Sequence, residues 1–457
     1  MRKWRVGLLV ATSVAISALW TLSAEGAASP GGRGQGGPRP AESRSSLELY
    51  YSNPLLVRAG ERVRIPADAV CATPEGTPCA STVFLDVREA ESAGWRSASA
   101  DATPGLRFDL TASATRSVAV TGSGFVEFRL RAEAAGATDS LPPFEVADPL
   151  RFYVTERMPV LRMPAVTFGE VREPTIELYL PWGSGPNRAG LSLGNESLTV
   201  GPSSFDVDED GRIHLLDGLQ DRLAVFAEGR LLRESRVEAS PRSSIAVSPE
   251  GGAYILDERD DVVSLVRVDG RGEVTGTAVV GRGIAGQVRT VAGRPYVNLY
   301  PLDAWVSASF EGEPSAAMAG DRDRVFLGLP TASGAELLRI GREDGIRLGM
   351  AMDGRVTDVL EIRSDQALGG LLLAETDGRD GYWVVVHTWR EVPTPADQYQ
   401  VLHVAGGRIV AAFGVGDDRF AETPPLSRFR LGADGALYQM RTSPDGMRIV
   451  RFDLEEE

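Results

Sequence analysis

From residue 47 onward, apolar and polar residues alternate in short runs, with turn residues between them. In "STVFLDVREA", Val83, Leu85 and Val87 alternate with polar neighbours. "GFVEFRLRAEA" does the same with Val126, Phe128 and Leu130, and "GLRFDLTA" and "PLRFYVTE" add two shorter runs. A period of two marks strands with one buried face.

Several such strands at short spacing predict an all-β domain over residues 47–157, a β-sandwich of immunoglobulin-like type. The resemblance is architectural only. Cys71 and Cys79 lie too close together for the Cys-Trp-Cys core of true immunoglobulin domains. Residues 158–200 are rich in Pro and Gly, with a strand expected at Ile176–Leu180. They read as a connection that donates a closing strand to the second domain.

A repeat then begins. "SSFDVDEDGRIHLLDGLQDRLAVF" from Ser203 sets over "SSIAVSPEGGAYILDERDDVVSLV" from Ser243 without a gap. "SRFRLGADGALYQMRTSPDGMRIVRF" repeats the plan near the end, with Asp434-Gly435 at the turn. An acidic-Gly turn between alternating apolar residues is a hairpin signal. A period near forty residues with this plan predicts a β-propeller over 158–457, and the spacing from Gly211 to Gly435 fits six blades.

The stretch from Gly201 to Glu234 resembles an NHL-type repeat: a Pro before the first strand, an acidic-Gly turn, a strand ending in Asp217, and a strand leading to Phe226. The likeness holds over 201–274 and again over 425–454. It implies a six-bladed propeller that binds proteins, peptides, RNA or glycans, without naming the ligand.

"DVDEDGRIHLLD", Asp206 to Asp217, also approaches an EF-hand calcium loop. Thr199-Val200-Gly201-Pro202 makes a poor final turn for an entering helix, and the closing ligand is Asp rather than Glu. The partner stretch at 246–257 keeps Gly251 and Asp257 but has Ala246, Ser248 and Glu250 in place of the three early aspartates. The shared feature is therefore a hairpin. Asp206, Asp208 and Asp210 stay as candidates for one structural calcium, and no other cofactor is expected. Asp217 and Asp257 read as groups that cap the following turn.

Chemistry is otherwise sparse. The three histidines, His214, His387 and His403, sit in strand-like runs without metal-ligand spacing. G-x-S-x-G occurs once, as Gly190-Leu191-Ser192-Leu193-Gly194, inside the Pro- and Gly-rich connection rather than on a strand-to-helix turn. Propeller geometry places the connection into each first strand and the loop between strands two and three on one face. That face carries Asp217, Gln220, Asp221, Arg242, Asp257 and Arg259, with Trp182, Trp305, Trp383 and Trp389 as aromatic candidates. The expected role is non-catalytic binding of a protein, peptide or glycan. The alternative is a calcium-dependent hydrolase of gluconolactonase type, which requires carboxylates from four or more blades on the central axis.

Composition adds the setting. Arg2, Lys3 and Arg5 precede an apolar run from Val6 to Leu22 and then small residues, the pattern of a signal peptide over 1–28. An uncleaved anchor is the alternative. Residues 29–46 are Gly, Pro, Ser and Arg-rich and read as a disordered linker. The protein is thus expected to be secreted or held in the cell envelope, with no other membrane contact. The chain carries −15 overall and −17 beyond residue 28, which disfavours nucleic acid as a partner. In an oxidising compartment Cys71 and Cys79 are expected to form one disulfide.

Overall fold

A computed structural model describes residues 46–453, apart from 52–54, 74–76, 90–94, 102–106, 112–122, 135–136, 142–149, 195–197, 260–261, 283–284, 300–303, 309, 311–324, 332, 343, 379–380, 392–395, 417 and 422–427. The expected leader and all of the linker except Ser46 lie outside the described residues. Ser46 opens the first strand. The described residues form strands, turns and loops and no helix.

Residues before 156 form two sheets. Three strands, Ser46–Tyr51, Arg62–Ala72 and Arg107–Thr111, make one. Six make the other: Leu56–Arg58, Leu150–Thr155, Ser123–Ala134, Ser81–Glu89 and Arg96–Asp101 in order, with Ala137–Leu141 also on Ser123–Ala134. The alternating residues explain the core. Val63 and Ile65 of the first sheet share an apolar cluster with Val83, Leu85, Phe128, Leu130 and Phe152 of the second. The Leu56–Arg58 pairing with Leu150–Thr155 is parallel, while the others are antiparallel. A disulfide joins Cys71 and Cys79, whose Cα atoms are 5.1 Å apart. Thr73 N donates to Thr77 O inside that small loop, at 2.8 Å.

The rest of the described chain forms a β-propeller of six successive sheets. Sheet one holds Ser204–Val207, Ile213–Asp217, Arg222–Ala227 and Arg230–Arg236. Sheet two holds Ser244–Val247, Ala253–Arg259, Val262–Val268 and Val274–Arg282. Sheet three holds Ala285–Val291, Arg294–Leu299, Ala304–Ser307 and Val325–Phe326. Sheet four holds Leu329–Pro330, Glu336–Arg342, Gly345–Met352 and Arg355–Arg363. Sheet five holds Leu368–Thr376, Gly381–Arg390, Ala396–Ala405 and Arg408–Val415. Sheet six holds Phe429–Leu431, Leu437–Ser443 and Gly446–Phe452.

Turn chemistry sets these hairpins. Gly211, Gly251, Gly334 and Gly435 all have φ between 73° and 82°, and each donates to the carbonyl three residues earlier. Each turn joins the first and second strands of its sheet. Four other hairpins have two successive residues at positive φ: Glu228-Gly229, Ala292-Gly293, Asp353-Gly354 and Gly406-Gly407. That is the type I′ geometry whose twist matches the flanking strands.

The connection runs across the outer edges of three sheets in turn. Val160–Arg162 pairs in parallel with Arg355–Arg363 of sheet four. Arg172 N then donates to Gly414 O at 2.8 Å on the edge of sheet five. Thr175–Pro181 pairs antiparallel with Gly446–Phe452 and supplies sheet six with its fourth strand. Leu178 and Leu180 of that strand are buried with Phe205, Met440 and Ile449. Strands from the two ends of the propeller thereby close the ring.

The first domain packs on sheet four. Leu56, Tyr153 and Met158 form one apolar cluster with Leu338, Ala351 and Val356. Tyr153 OH donates to Glu336 Oε1 at 2.8 Å, while Glu336 Oε2 accepts from Leu327 N and Gly328 N. Arg347 is buried and reaches both oxygens of Glu61.

Candidate functional site

The residues expected on the binding face divide between exposed and tied-in groups. Asp217 is wholly buried. Its Oδ2 accepts from Gly190 N and from Gln220 Nε2, both at 2.9 Å, and pairs with Arg222 Nη2 at 3.4 Å. Gln220 spans the same loop, accepting from Gly185 N and donating to Gly183 O and Arg188 O. Buried Arg222 donates to Gly185 O and Pro186 O and pairs with Glu234 at 2.7 Å. Asp217, Gln220 and Arg222 thus clamp the 183–190 loop of the connection onto sheet one. Sequence reasoning missed Arg222. Its one available signal was the repeat, which puts Val262 at the matching position of sheet two.

Asp257 works likewise in sheet two. It accepts from Ser240 N at 2.7 Å and from Ser243 Oγ, and pairs with Arg259 Nε at 2.9 Å. Arg259 also reaches Glu238 at 3.0 Å. Asp221 and Arg242 are exposed, and Asp221 adopts φ +49° while its carbonyl accepts from Val237 N. Trp383 and Trp305 are buried, and Trp182 Nε1 donates to Ser443 O. On this face, then, Asp217 and Asp257 are buried and tied to backbone and side-chain donors.

Nor do the calcium candidates make a joint site. Asp206 accepts from Val207 N at 3.0 Å and from Val247 N of sheet two at 2.8 Å. Buried Asp208 accepts from Asp210 N, Arg212 N, Arg212 Nε and His214 Nε2. Asp210 is exposed and pairs with Arg212 at 2.7 Å. Among the described residues no group of three metal-ligating side chains comes together. The donors around these carboxylates are N–H groups, which occupy the lone pairs a cation would need.

Asp208 shows what the turn acids do. One oxygen caps backbone N–H groups and the other takes a ring donor. Asp377 repeats the arrangement with Gly381 N and His403 Nε2, and Asp434 with Ala436 N and Tyr438 OH. A carboxylate only accepts, so in each His pair Nε2 carries the proton. Burial lowers the pKa of His214 despite Asp208 beside it. Burial would raise Asp208, but the bonds from His214 and Arg212 prevail and lower it.

The first strands of sheets one, two, three, five and six, with Arg339 from the second strand of sheet four, surround a central channel of about 410 Å³. Six charged side chains line it: Asp206 of sheet one, Arg289 of sheet three, Arg339 of sheet four, Glu375 and Asp377 from sheet five and its turn, and Arg430 of sheet six. Arg289 Nη2 meets Glu375 Oε2 at 2.6 Å. Enclosure lowers the pKa of Arg430, against the pull of Asp206 and Glu375. The channel carboxylates come from two sheets, not four, and arginines stand between them. This donor set does not fit an axial calcium.

At Asp377, Gly378, Ala433 and Gly435 the channel mouth meets a cleft of about 1220 Å³ between sheets five and six. His403, Trp383, Arg172, Phe413 and Asp453 are among its walls. The Trp383 and His403 rings lie 4.9 Å apart, and Arg172 stacks over Phe413 at 4.5 Å. This cleft opens on the side of the Asp-Gly turns, away from the face expected from the loops.

No protein-family model matches the chain, and no curated relative does. Similar solved structures include a protein of unknown function from Bacteroides caccae, at 13% identity and TM-score 0.31, over 51% of this chain and 96% of that one. A streptogramin B lyase is similar at 12% identity and TM-score 0.32, over 58% and 98%. The PQQ-bound aldose sugar dehydrogenase of Streptomyces coelicolor is similar at 13% identity and TM-score 0.30, over 59% and 99%.

Proposed function

We propose that this is an exported binding or scaffolding protein without catalytic chemistry of its own. Its frame is an immunoglobulin-like sandwich followed by a six-bladed, NHL-like propeller, each propeller sheet being one blade. Its ligand is a protein, peptide or glycan, not nucleic acid, and its seat is the cleft between sheets five and six. The observation that carries this reading is the continuity of cleft and channel through four shared residues. The cleft brings Arg172, Asp377, His403, Arg408 and Asp434 together beside Trp383 and Phe413, and a concave site with convergent polar groups and aromatic side chains is a usual form of a binding site. Export rests on the leader pattern, and an uncleaved leader would leave the propeller tethered to the envelope.

The test is binding of the full chain to peptide and glycan arrays, repeated with Ala433→Trp. Ala433 is exposed at the shared mouth, so the indole narrows the cleft without entering a core. Loss of a captured ligand with an unchanged melting midpoint supports the seat. Equal binding by the variant moves the seat elsewhere, and an array with no hits removes the binding role.

A further inference from the structure

Arg408–Val415 is the last strand of sheet five. Six consecutive residues of it, 408–413, line the cleft. A cleft lying over one face of a strand touches every second residue, because side chains alternate. One that touches six in a row follows the strand's edge. The register gives the direction of the backbone groups. Gly414 stands opposite Gln400, and its carbonyl turns outward to accept from Arg172 N. In an antiparallel ladder inward and outward residues alternate, so the N–H and C=O of Ala412 also face outward into the cleft.

The chain's own connection shows what such an edge accepts. Its strands Val160–Arg162 and Thr175–Pro181 extend the outer edges of sheets four and six. Between them it touches sheet five at Gly414. The connection thus adds strands to sheet four at Glu361–Arg363 and to sheet six, but along 408–413 of sheet five the cleft stands instead. Between Arg408 and Phe413 this stretch is aliphatic: Ile409, Val410, Ala411 and Ala412, with Val410 46% exposed. The geometry points to an extended, aliphatic peptide segment of a partner protein that adds to sheet five as a fifth strand beside Ala412, by backbone pairing. The assignment rests on the binding role proposed above and narrows it to a peptide strand.

The probe is a fluorescein-labelled nonapeptide of alternating Val and Thr with terminal lysines, titrated onto the full chain by anisotropy. Its twin is N-methylated at every second residue, on the edge that would pair. The variant is Ala412→Pro, which removes the outward N–H while leaving the inward bonds of Phe413 and Ala411. Binding of the plain peptide is expected, weakened about tenfold by either change, as loss of backbone pairing predicts. A melting curve of Ala412→Pro and a second variant, Val410→Lys, guard against misfolding. Equal binding by Ala412→Pro or by the methylated twin overturns edge pairing but leaves a peptide-binding protein. No binding of the plain peptide overturns the strand assignment, while the array experiment still decides the wider role. Self-association abolished by Ala412→Pro would make the occupant a second copy and also overturn the assignment.

Discussion

Arg347 donates through Nη1 and Nη2 to Oε2 and Oε1 of Glu61, at 2.8 and 3.1 Å across 286 residues of sequence. The fork joins the first domain to sheet four. Burial would raise the pKa of Glu61, but bonds from Arg347, the Arg58 amide and Arg342 outweigh it and lower it. Truncation as Arg347→Ala takes a shared partner from both Glu61 and buried Glu361. Breaking a buried pair costs several kcal/mol. Glu61 keeps some solvent access, so a loss of about 2 kcal/mol is expected. Urea unfolding should then resolve into two transitions. One unshifted transition would show that the fork does not couple the domains.

The closing strand gives a second expectation. Leu178 is 1% exposed within the core of sheets one and six. Leu178→Ala should cost about 3 kcal/mol through lost burial and the cavity left behind. Exposed Ile176→Ala in the same strand should cost about 0.5 kcal/mol or less. Denaturation midpoints compare the two. Similar values would mean that the strand does not carry the closure.

Acid should loosen sheet one. The folded state lowers the pKa of His214, so below about pH 6.5 the unfolded chain takes up the proton first. The stability this residue contributes is complete above that pH and falls as the pH drops. Asp208 acts in the same direction at lower pH, since its folded value is also depressed. His214→Tyr puts in sheet one the residue that sheets two and six carry as Tyr254 and Tyr438. Its melting midpoint should change less than the wild type's between pH 7 and 5.5. Identical slopes would rule His214 out as the source.

Reduction should act locally. The Cys71–Cys79 bond closes a loop of about nine residues, for which chain entropy gives about 2–3 kcal/mol. Dithiothreitol should lower the melting of the first domain and leave the propeller transition in place, as differential scanning calorimetry can show. A shift of the propeller transition would contradict this.

The repeat was legible from Ser203, Ser243 and Ser427 because those hairpins turn on Asp-Gly or Glu-Gly. Sheets three to five were not, because their first hairpins use Ala292-Gly293, the Thr331–Gly334 turn, or Asp377 bonded to Gly381 N. The Val160–Arg162 strand is three residues long between Pro159 and Pro164, too short to show alternation. The burial of the loop acids was not legible for a different reason. A carboxylate has the same letter whether water surrounds it or, as at Asp217, backbone N–H groups hold it inside. Which applied depended on the 183–190 loop, and no local pattern joins that loop to Gln220 or Arg222.

The strand that completes sheet six begins at Thr175, and its partner ends at Phe452. During synthesis the earlier strand therefore waits until the other five propeller sheets have emerged. A polypeptide stopped before residue 446 would hold five sheets and an orphaned edge. The ring therefore closes only when both strands of this seam are present, however early its other sheets fold.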